Sequence, residues 1–335
     1  MTNIGDVHDR NHMPTTITVR NVNYAFQEGW WKLRVSGVRG HSRNGEVLKM
    51  PGPVITTYLH PMERVLFDPL RDANPVFHLM EFFWMIAGQD DVAWLSQFNS
   101  RISEYADDGV IHGAYGHRWR GWFGPDQIQR VIEILIRDPN SRQAVIAMWD
   151  PTADLFGDWK DCPCNTHIYF DLSSGRLDMT VCCRSNDMLW GAYGANAVHF
   201  SFLQEVIADQ VGVEVDVYHQ MSNNFHVYPA VAQVSEFLIS PPFENYDLYS
   251  HRECRIVPIL RRDSGEVLED LYHDALEMIK EGGSEFRTDF CYSVAHPLRE
   301  AYLLRKAGEN YSCWKSMKDC DWKIAFGQWL ERRES

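Results

Sequence analysis

The stretch from Thr166 to Cys183 constrains this chain most. It reads THIYFDL, then Ser173-Ser174-Gly175, then RLDMTVCC, so two alternating apolar runs flank a short glycine-containing turn. A period of two sends successive side chains to opposite faces, and the turn returns the backbone on itself. The segment is therefore expected to be an antiparallel hairpin.

An isolated hairpin is marginal in water and needs cover. Residues 198–211, VHFSFLQEVIADQV, have the spacing of a long helix with an apolar face. Residues 76–98 read as a helix, a stop at Gly88 and a second helix. Residues 126–137 form another helical run that ends before DPNS, and the tail beyond about 293 is helical and Trp-rich. QAVIAMWD and residues 213–219 and 256–260 read as further strands. Helices and strands interleave without strict βαβ alternation, which predicts an α+β fold with a mixed β-sheet packed by helices. No repeat, low-complexity tract or linker divides the 335 residues. A single domain over 1–335 is expected, with a variable arm over about 1–20 and a helical extension over about 293–335.

The charge of −14 argues against a nucleic-acid or membrane-surface binder, which would need a basic face. It still permits a small anion held by a few arginines. No apolar run is long enough to span a membrane, and MTNIGDVHDRNHMPTT has no apolar core of a signal peptide. Eight cysteines in so long a chain are too sparse for a disulfide scaffold, so reduced thiols in a cytoplasmic setting are expected.

The cysteines admit three readings. Cys162-x-Cys164 and the adjacent Cys182 and Cys183 lack the two-to-four-residue spacing of structural zinc sites, so no metal is expected. A disulfide is disfavoured by compartment. Buried, inert thiols are the reading for Cys254, Cys291, Cys313 and Cys320, and also for Cys182 and Cys183. Cys164 differs because Arg184 and Ser185 follow across the hairpin. A guanidinium beside a thiol lowers its pKa, and its planar fork also suits a phosphate. Cys, Arg and Ser brought together fit a nucleophile beside a phosphate clamp.

PCNTHIYFDLSSGRLDMTVCCRSND resembles the catalytic segment of the thymidylate synthase family. The likeness runs from about residue 40 to about 230. EFFWMIAGQDD resembles the family's glutamate-bearing helix, YGHRWRGW its Tyr-Gly motif, DPNSRQAVIAMWDP its partner-donated phosphate loop and NNFHVY its ribose-binding motif. The resemblance implies a thymidylate synthase-like catalytic fold and a homodimer, with 5,10-methylenetetrahydrofolate as co-substrate. It assigns Cys164 as the nucleophile that adds to carbon 6 of a pyrimidine ring, making carbon 5 reactive. Glu81 would organise water and proton transfer with Tyr115 nearby. Arg43, Arg184 and Ser185 would hold the 5′-phosphate, joined across the dimer by Arg142, with Gln143 where the family has a second arginine. His226 and Tyr228 would bind the sugar, Asn196 the base edge, and Asp187 and Trp84 the folate. His167 and His199 are expected to be satisfied core histidines.

Two reactions share this start: synthases reduce the exocyclic methylene with hydride, and related nucleotide hydroxymethylases add water. RISEYADDG places Ile102 and Tyr105 where the family usually has tryptophans, and the chain ends in WLERRES rather than a small apolar closure. WGAYGAN places Ala195 at the family's Asn and Asn196 one residue later, an apparent one-residue insertion. These departures favour a hydroxymethylase. A neutral Asn presents a donor and an acceptor that match uracil, so dUMP is preferred. The alternatives are dTMP synthesis, dCMP hydroxymethylation and an inactive nucleotide-binding paralogue.

Overall fold

The computed structural model describes residues 13–231, 234–235 and 246–334. Residues 1–12 of the expected arm lie outside this range. Ten strands form two sheets among the described residues: β1 Thr15–Val19, β2 Val38–Ser42, β3 Gly45–Lys49, β4 Val54–Tyr58, β5 Val145–Ala147, β6 Asn165–Asp171, β7 Leu177–Cys183, β8 Asn186–Asp187, β9 Val215–Ser222 and β10 Phe225–Val227. The larger sheet has the order β1-β4-β9-β7-β6-β5, and the smaller one β2-β3-β10-β8. Pairs β1/β4, β7/β9 and β8/β10 are parallel and the others antiparallel, so both sheets are mixed.

The hairpin forms as expected. β6 and β7 pair from Asp171 opposite Asp178 to Asn165 opposite Cys183, with a bulge between Asn165 and His167. Gly175 has φ +81°, an angle that side-chain-bearing residues resist. On one face Ile168, Phe170, Leu177, Met179, Val181 and Cys183 are buried.

Among the described residues seven α-helices of eight or more residues pack with the sheets: α1 Val22–Ser36, α2 Pro75–Ile86, α3 Gln127–Arg137, α4 Asn196–Val211, α5 Leu268–Ile279, α6 His296–Ala307 and α7 Asp321–Glu334. Local signals set their ends. Asn74 caps α2 by accepting from Phe77 N at 3.1 Å, and Pro75 supplies a preset φ in the first turn. Asp126 caps α3 through Ile128 N and Gln129 N.

Every residue of α4 from Asn196 to Ala208 is buried, so the helix is covered all round rather than on one face. The sheet covers one side. On the other, Phe202 stacks on Phe82 of α2 at 4.6 Å between ring centroids and on Trp322 of α7 at 5.8 Å. Burying each such ring contributes about 2–3 kcal/mol. The C-terminal extension is thus part of the same hydrophobic cluster, which runs from Ile17 to Leu330.

Three expectations fail for physical reasons. After Gly88 no second α-helix forms: residues 89–98 make a turn and a short 3₁₀ segment, Leu95–Gln97. Backbone bonds from Ile111 N to Asp90 O and from Val92 N to Gly109 O hold that chain as a loop. Residues 256–260 form no strand. Val257 and Ile259 are buried, and Ile259 N donates to the Glu205 carboxylate at 2.9 Å instead of to a ladder. His167 is not a core residue. It lies half-exposed on the uncovered face of the larger sheet beside Tyr169, while His199 is buried as expected. Cys254 and Cys313 are only partly buried, unlike Cys291 and Cys320.

Candidate active site

The open end of the hairpin, the start of β8, the end of β10 and one face of α2 surround a cavity of about 910 Å³. That is near the upper end for a ligand pocket. Cys164, Arg184, Ser185, Asp187, Glu81, Arg43, His226 and Tyr228 all reach its wall. Phe77, His78 and Glu81 share the inward face of α2, as helical spacing dictates.

The hairpin register makes cross-strand neighbours of residues twenty apart. Arg184 N donates to Cys164 O at 2.8 Å, and the guanidinium lies 4.0 Å from Cys164 Sγ. Its Nε donates to Pro163 O and one terminal nitrogen to Cys162 O, both at 2.8 Å. The guanidinium therefore clamps the turn that carries Cys164. The expected low thiol pKa does not follow. Burial pushes Cys164 up to about 11, with Arg184 pulling down and Asp161 pushing up. Burial thus favours the thiol over the thiolate in this cavity.

Tyr115 brackets the same turn. Its hydroxyl accepts from Cys164 N at 3.1 Å and Asn165 N at 3.2 Å, leaving its own proton to donate elsewhere. Burial, then Cys164 and Asp161, hold the phenol well above its ordinary pKa.

Glu81 faces the cavity with Oε2 buried and without a hydrogen bond. His199 Nε2 lies 3.4 Å away but donates to His78 O at 3.0 Å. Burial lowers His199 to about 4, so this is no ion pair. Burial first, and then the charge of Asp161, raise Glu81 to about 8.

Asp187 caps the following π-helical turn, Met188–Ala195, by accepting from Leu189 N at 2.7 Å and Trp190 N at 2.9 Å. Its pKa is raised by burial, against those two hydrogen bonds. Tyr193 and Gly194 leave helical φ/ψ, so the chain kinks just before Asn196. Ala195 reaches the cavity wall and Asn196 sits behind it. Asn196 Oδ1 accepts from Asn165 at 3.2 Å, and its Nδ2 donates to Asn186 Oδ1 at 3.1 Å. Asn186 in turn donates to Gln220 and Ser222. The layer is neutral, and its chained donors fix the amide orientations.

Not every assigned residue is brought in. Trp84 is buried off the cavity and donates its indole N–H to Asp91 O at 2.8 Å. Arg142 and Gln143 are exposed and also lie off this chain's cavity. Arg43 is on the wall, where its guanidinium reaches Trp159 O and Lys160 O.

Sequence reasoning missed Asp161, Asp72, Arg71 and Trp190. Arg71 lies 4.4 Å from the partly exposed Trp190 ring and donates to Leu189 O at 2.7 Å. Asp72, on the cavity wall, binds Arg332 at 2.9 Å and Arg333 at 2.7 Å. The last turn of α7 is thus anchored at the rim. Only Asp161 had a sequence signal, its place in DCPC. Among the described residues no group of three or more His, Cys, Asp or Glu is placed to hold a metal ion, and no helix is long and apolar enough to cross a membrane.

Comparison with known proteins matches residues 70–267 to the thymidylate synthase family model. A deoxyuridylate hydroxymethyltransferase of Pseudomonas phage M6 is 42% identical over 95% of this chain and 94% of its own. One from Bacillus phage SP01 is 39% identical over 55% of this chain and 51% of its own. A thymidylate synthase of Corynebacterium aurimucosum is 31% identical over 56% of this chain and 72% of its own.

Proposed function

The chain belongs to the thymidylate synthase family, and from that premise we propose that it is a one-carbon transferase converting dUMP to 5-hydroxymethyl-dUMP. The end-to-end likeness to the phage M6 hydroxymethyltransferase carries the choice of reaction. The cluster of Cys164, Arg184 and Glu81 on one cavity supports the chemistry.

Cys164 adds to carbon 6 of the ring, and carbon 5 takes a one-carbon unit from the folate co-substrate. Water then completes the exocyclic methylene as hydroxymethyl. Arg184, Ser185 and Arg43 hold the phosphate, and His226 and Tyr228 the sugar. The choice of uracil rests on the phage relatives, since the amides of Asn165, Asn186 and Asn196 lie behind Ala195 and are bonded to one another. Folate fits the opposite wall. Trp190 and Tyr105 offer aromatic planes and Ile102 an aliphatic contact, and Asp187 offers a carboxyl group to a pterin's amidine-like donors.

A homodimer completes the phosphate site, with Arg142 reaching the neighbour's cavity. Its exposed position away from its own cavity supports this, as does the half-open sheet face carrying His167, Tyr169 and Met221. The phage relatives suit a place in the host cytoplasm.

The test incubates the protein with dUMP tritiated at carbon 5 and methylenetetrahydrofolate. Tritium release with a hydroxymethyl product and no dihydrofolate is expected. Cys164→Ser should lose all turnover while keeping the wild-type melting profile. Formation of dTMP with dihydrofolate would overturn the choice of water over hydride.

A further inference from the structure

Several carboxyl groups line the reaction cavity, Glu81, Asp187 and Asp161 among them, and the family resemblance gives Asp161 no role. Asp161 lies three residues before Cys164 on a turn held by Arg184 through Cys162 O and Pro163 O. Pro163 stiffens that turn further, since its ring fixes φ. Asp161 Oδ2 accepts from Gly113 N at 3.2 Å. A Cβ at position 113 would fall 2.4 Å from that oxygen and 3.0 Å from Pro163 N. Only glycine lets the carboxylate and the nucleophile's turn seat there together. The side chain is therefore built in, two residues from the Tyr115 bracket.

This seating leaves Asp161 unspent. Among the described residues it has no ion pair within 4.0 Å, and Gly113 N is the one hydrogen-bond donor it meets. An aspartate kept only for structure would be expected to look like its neighbour Asp154, which meets both an arginine and a histidine. Across the cavity Glu81 has its own unpartnered oxygen. Two carboxyls sharing one low-dielectric cavity separate into an acid and a base. Glu81, held at about 8, keeps the proton at neutral pH. Asp161 stands on the cavity wall with Gly113 N–H as its one donor, free to take up a proton; burial raises its pKa, and Gly113 N–H and the Arg184 guanidinium oppose that rise.

We propose that Asp161 is the general base that takes the proton of the water which becomes the hydroxymethyl oxygen. This rests on the hydroxymethylase reading above. The water oxygen bonds to the exocyclic methylene carbon, and the C5–CH₂ π pair moves through carbon 4 onto its oxygen, giving an enolate. One water proton passes to the Asp161 carboxylate. The enolate then re-forms the carbonyl, carbon 5 and carbon 6 become doubly bonded, and the C6–S bond breaks with the pair leaving on sulfur. The proton on Asp161 returns to that thiolate or to solvent. No redox partner is needed. Hydride transfer has no use for such a base, and a carboxylate there retains water that a reducing site must exclude.

The experiment follows a single turnover, with the full chain carrying Asp161→Asn in excess over dUMP tritiated at carbon 5, in the presence of methylenetetrahydrofolate. Asparagine keeps an oxygen for Gly113 N–H, so the melting temperature should match the wild type. Tritium release, which reports the steps up to the methylene, should stay within about threefold. Hydroxymethyl product should fall by about 30-fold or more, and added 2-mercaptoethanol should capture the waiting methylene as a thioether. Asp161→Glu should restore part of the hydroxymethyl yield. If Asp161→Asn keeps its hydroxymethyl rate, or loses tritium release in parallel, the base assignment is wrong. If the wild type makes dTMP, the reaction reading fails first, before the variant is compared.

Discussion

Asp154 and Glu81 both border the same cavity, yet their surroundings are opposite. Asp154 accepts from Arg118 through both oxygens at 2.8 and 2.9 Å, from Asp150 N at 2.8 Å, and lies 2.7 Å from His112 Nε2. Although burial raises its pKa, those donors hold it below the usual carboxylate range. Glu81 has one buried oxygen with no donor and is pushed up to about 8. The pair teaches that burial alone does not make a carboxylate reactive. Saturated with donors it is a structural anchor, here fixing the chain before the DCPC turn. Left short of donors it holds a proton that chemistry can use.

The sharpest way to break this contrast is Glu81→Gln. It should lower kcat roughly 10²–10⁴-fold, the range expected for losing a general acid–base group. A residual rate within fivefold of the wild type would make Glu81 no more reactive than Asp154. Next comes Asp154→Ala, which strands the fully buried Arg118 guanidinium. Urea unfolding should show a loss of about 3–5 kcal/mol, whereas a loss under 1 kcal/mol would mean the anchor is not one.

The third effect has the opposite sign. Because the folded pKa of Glu81 exceeds that of an unfolded glutamate, near 4.5, folding weakens as pH rises between those values. The contribution is fully present below about 4.5 and gone above about 8. Glu81→Gln removes this slope, so at pH 8 the variant should be more stable by about 2–4 kcal/mol, and equal to the wild type near pH 4. Equal stability at both pH values would show Glu81 to be an ordinary carboxylate. The smallest effect is at the rim. Arg332→Ala with Arg333→Ala frees Asp72 from two partly exposed ion pairs. Stability should fall by no more than about 1 kcal/mol, and KM for the folate should rise a few-fold with kcat little changed.

How much was legible follows from how local each signal is. The hairpin and the run of α4 were readable because period and a turn glycine act over a few residues. The same rules failed at 256–260, where an apolar alternation is satisfied by packing and by Glu205, fifty-four residues away. They also failed after Gly88, where the Trp84 indole and Asp90 O tie the chain into a loop. In the site, the approach of Arg184 to Cys164 could be read from strand pairing. The direction of the thiol's pKa could not, since burial outweighs the guanidinium.

By itself the sequence determined the hairpin and the thiol and arginine at its mouth, because spacing along a strand is geometry that short segments carry, while the carboxylate on α2 came from the family resemblance. Only the tertiary structure decided what those groups are chemically. It placed Asn196 one layer behind the wall, closed the rim with the last helical turn and set Asp161 against Gly113. Whether a carboxyl or a thiol keeps its proton depends on the water and donors left around it, and those are contributed by residues far apart in the chain.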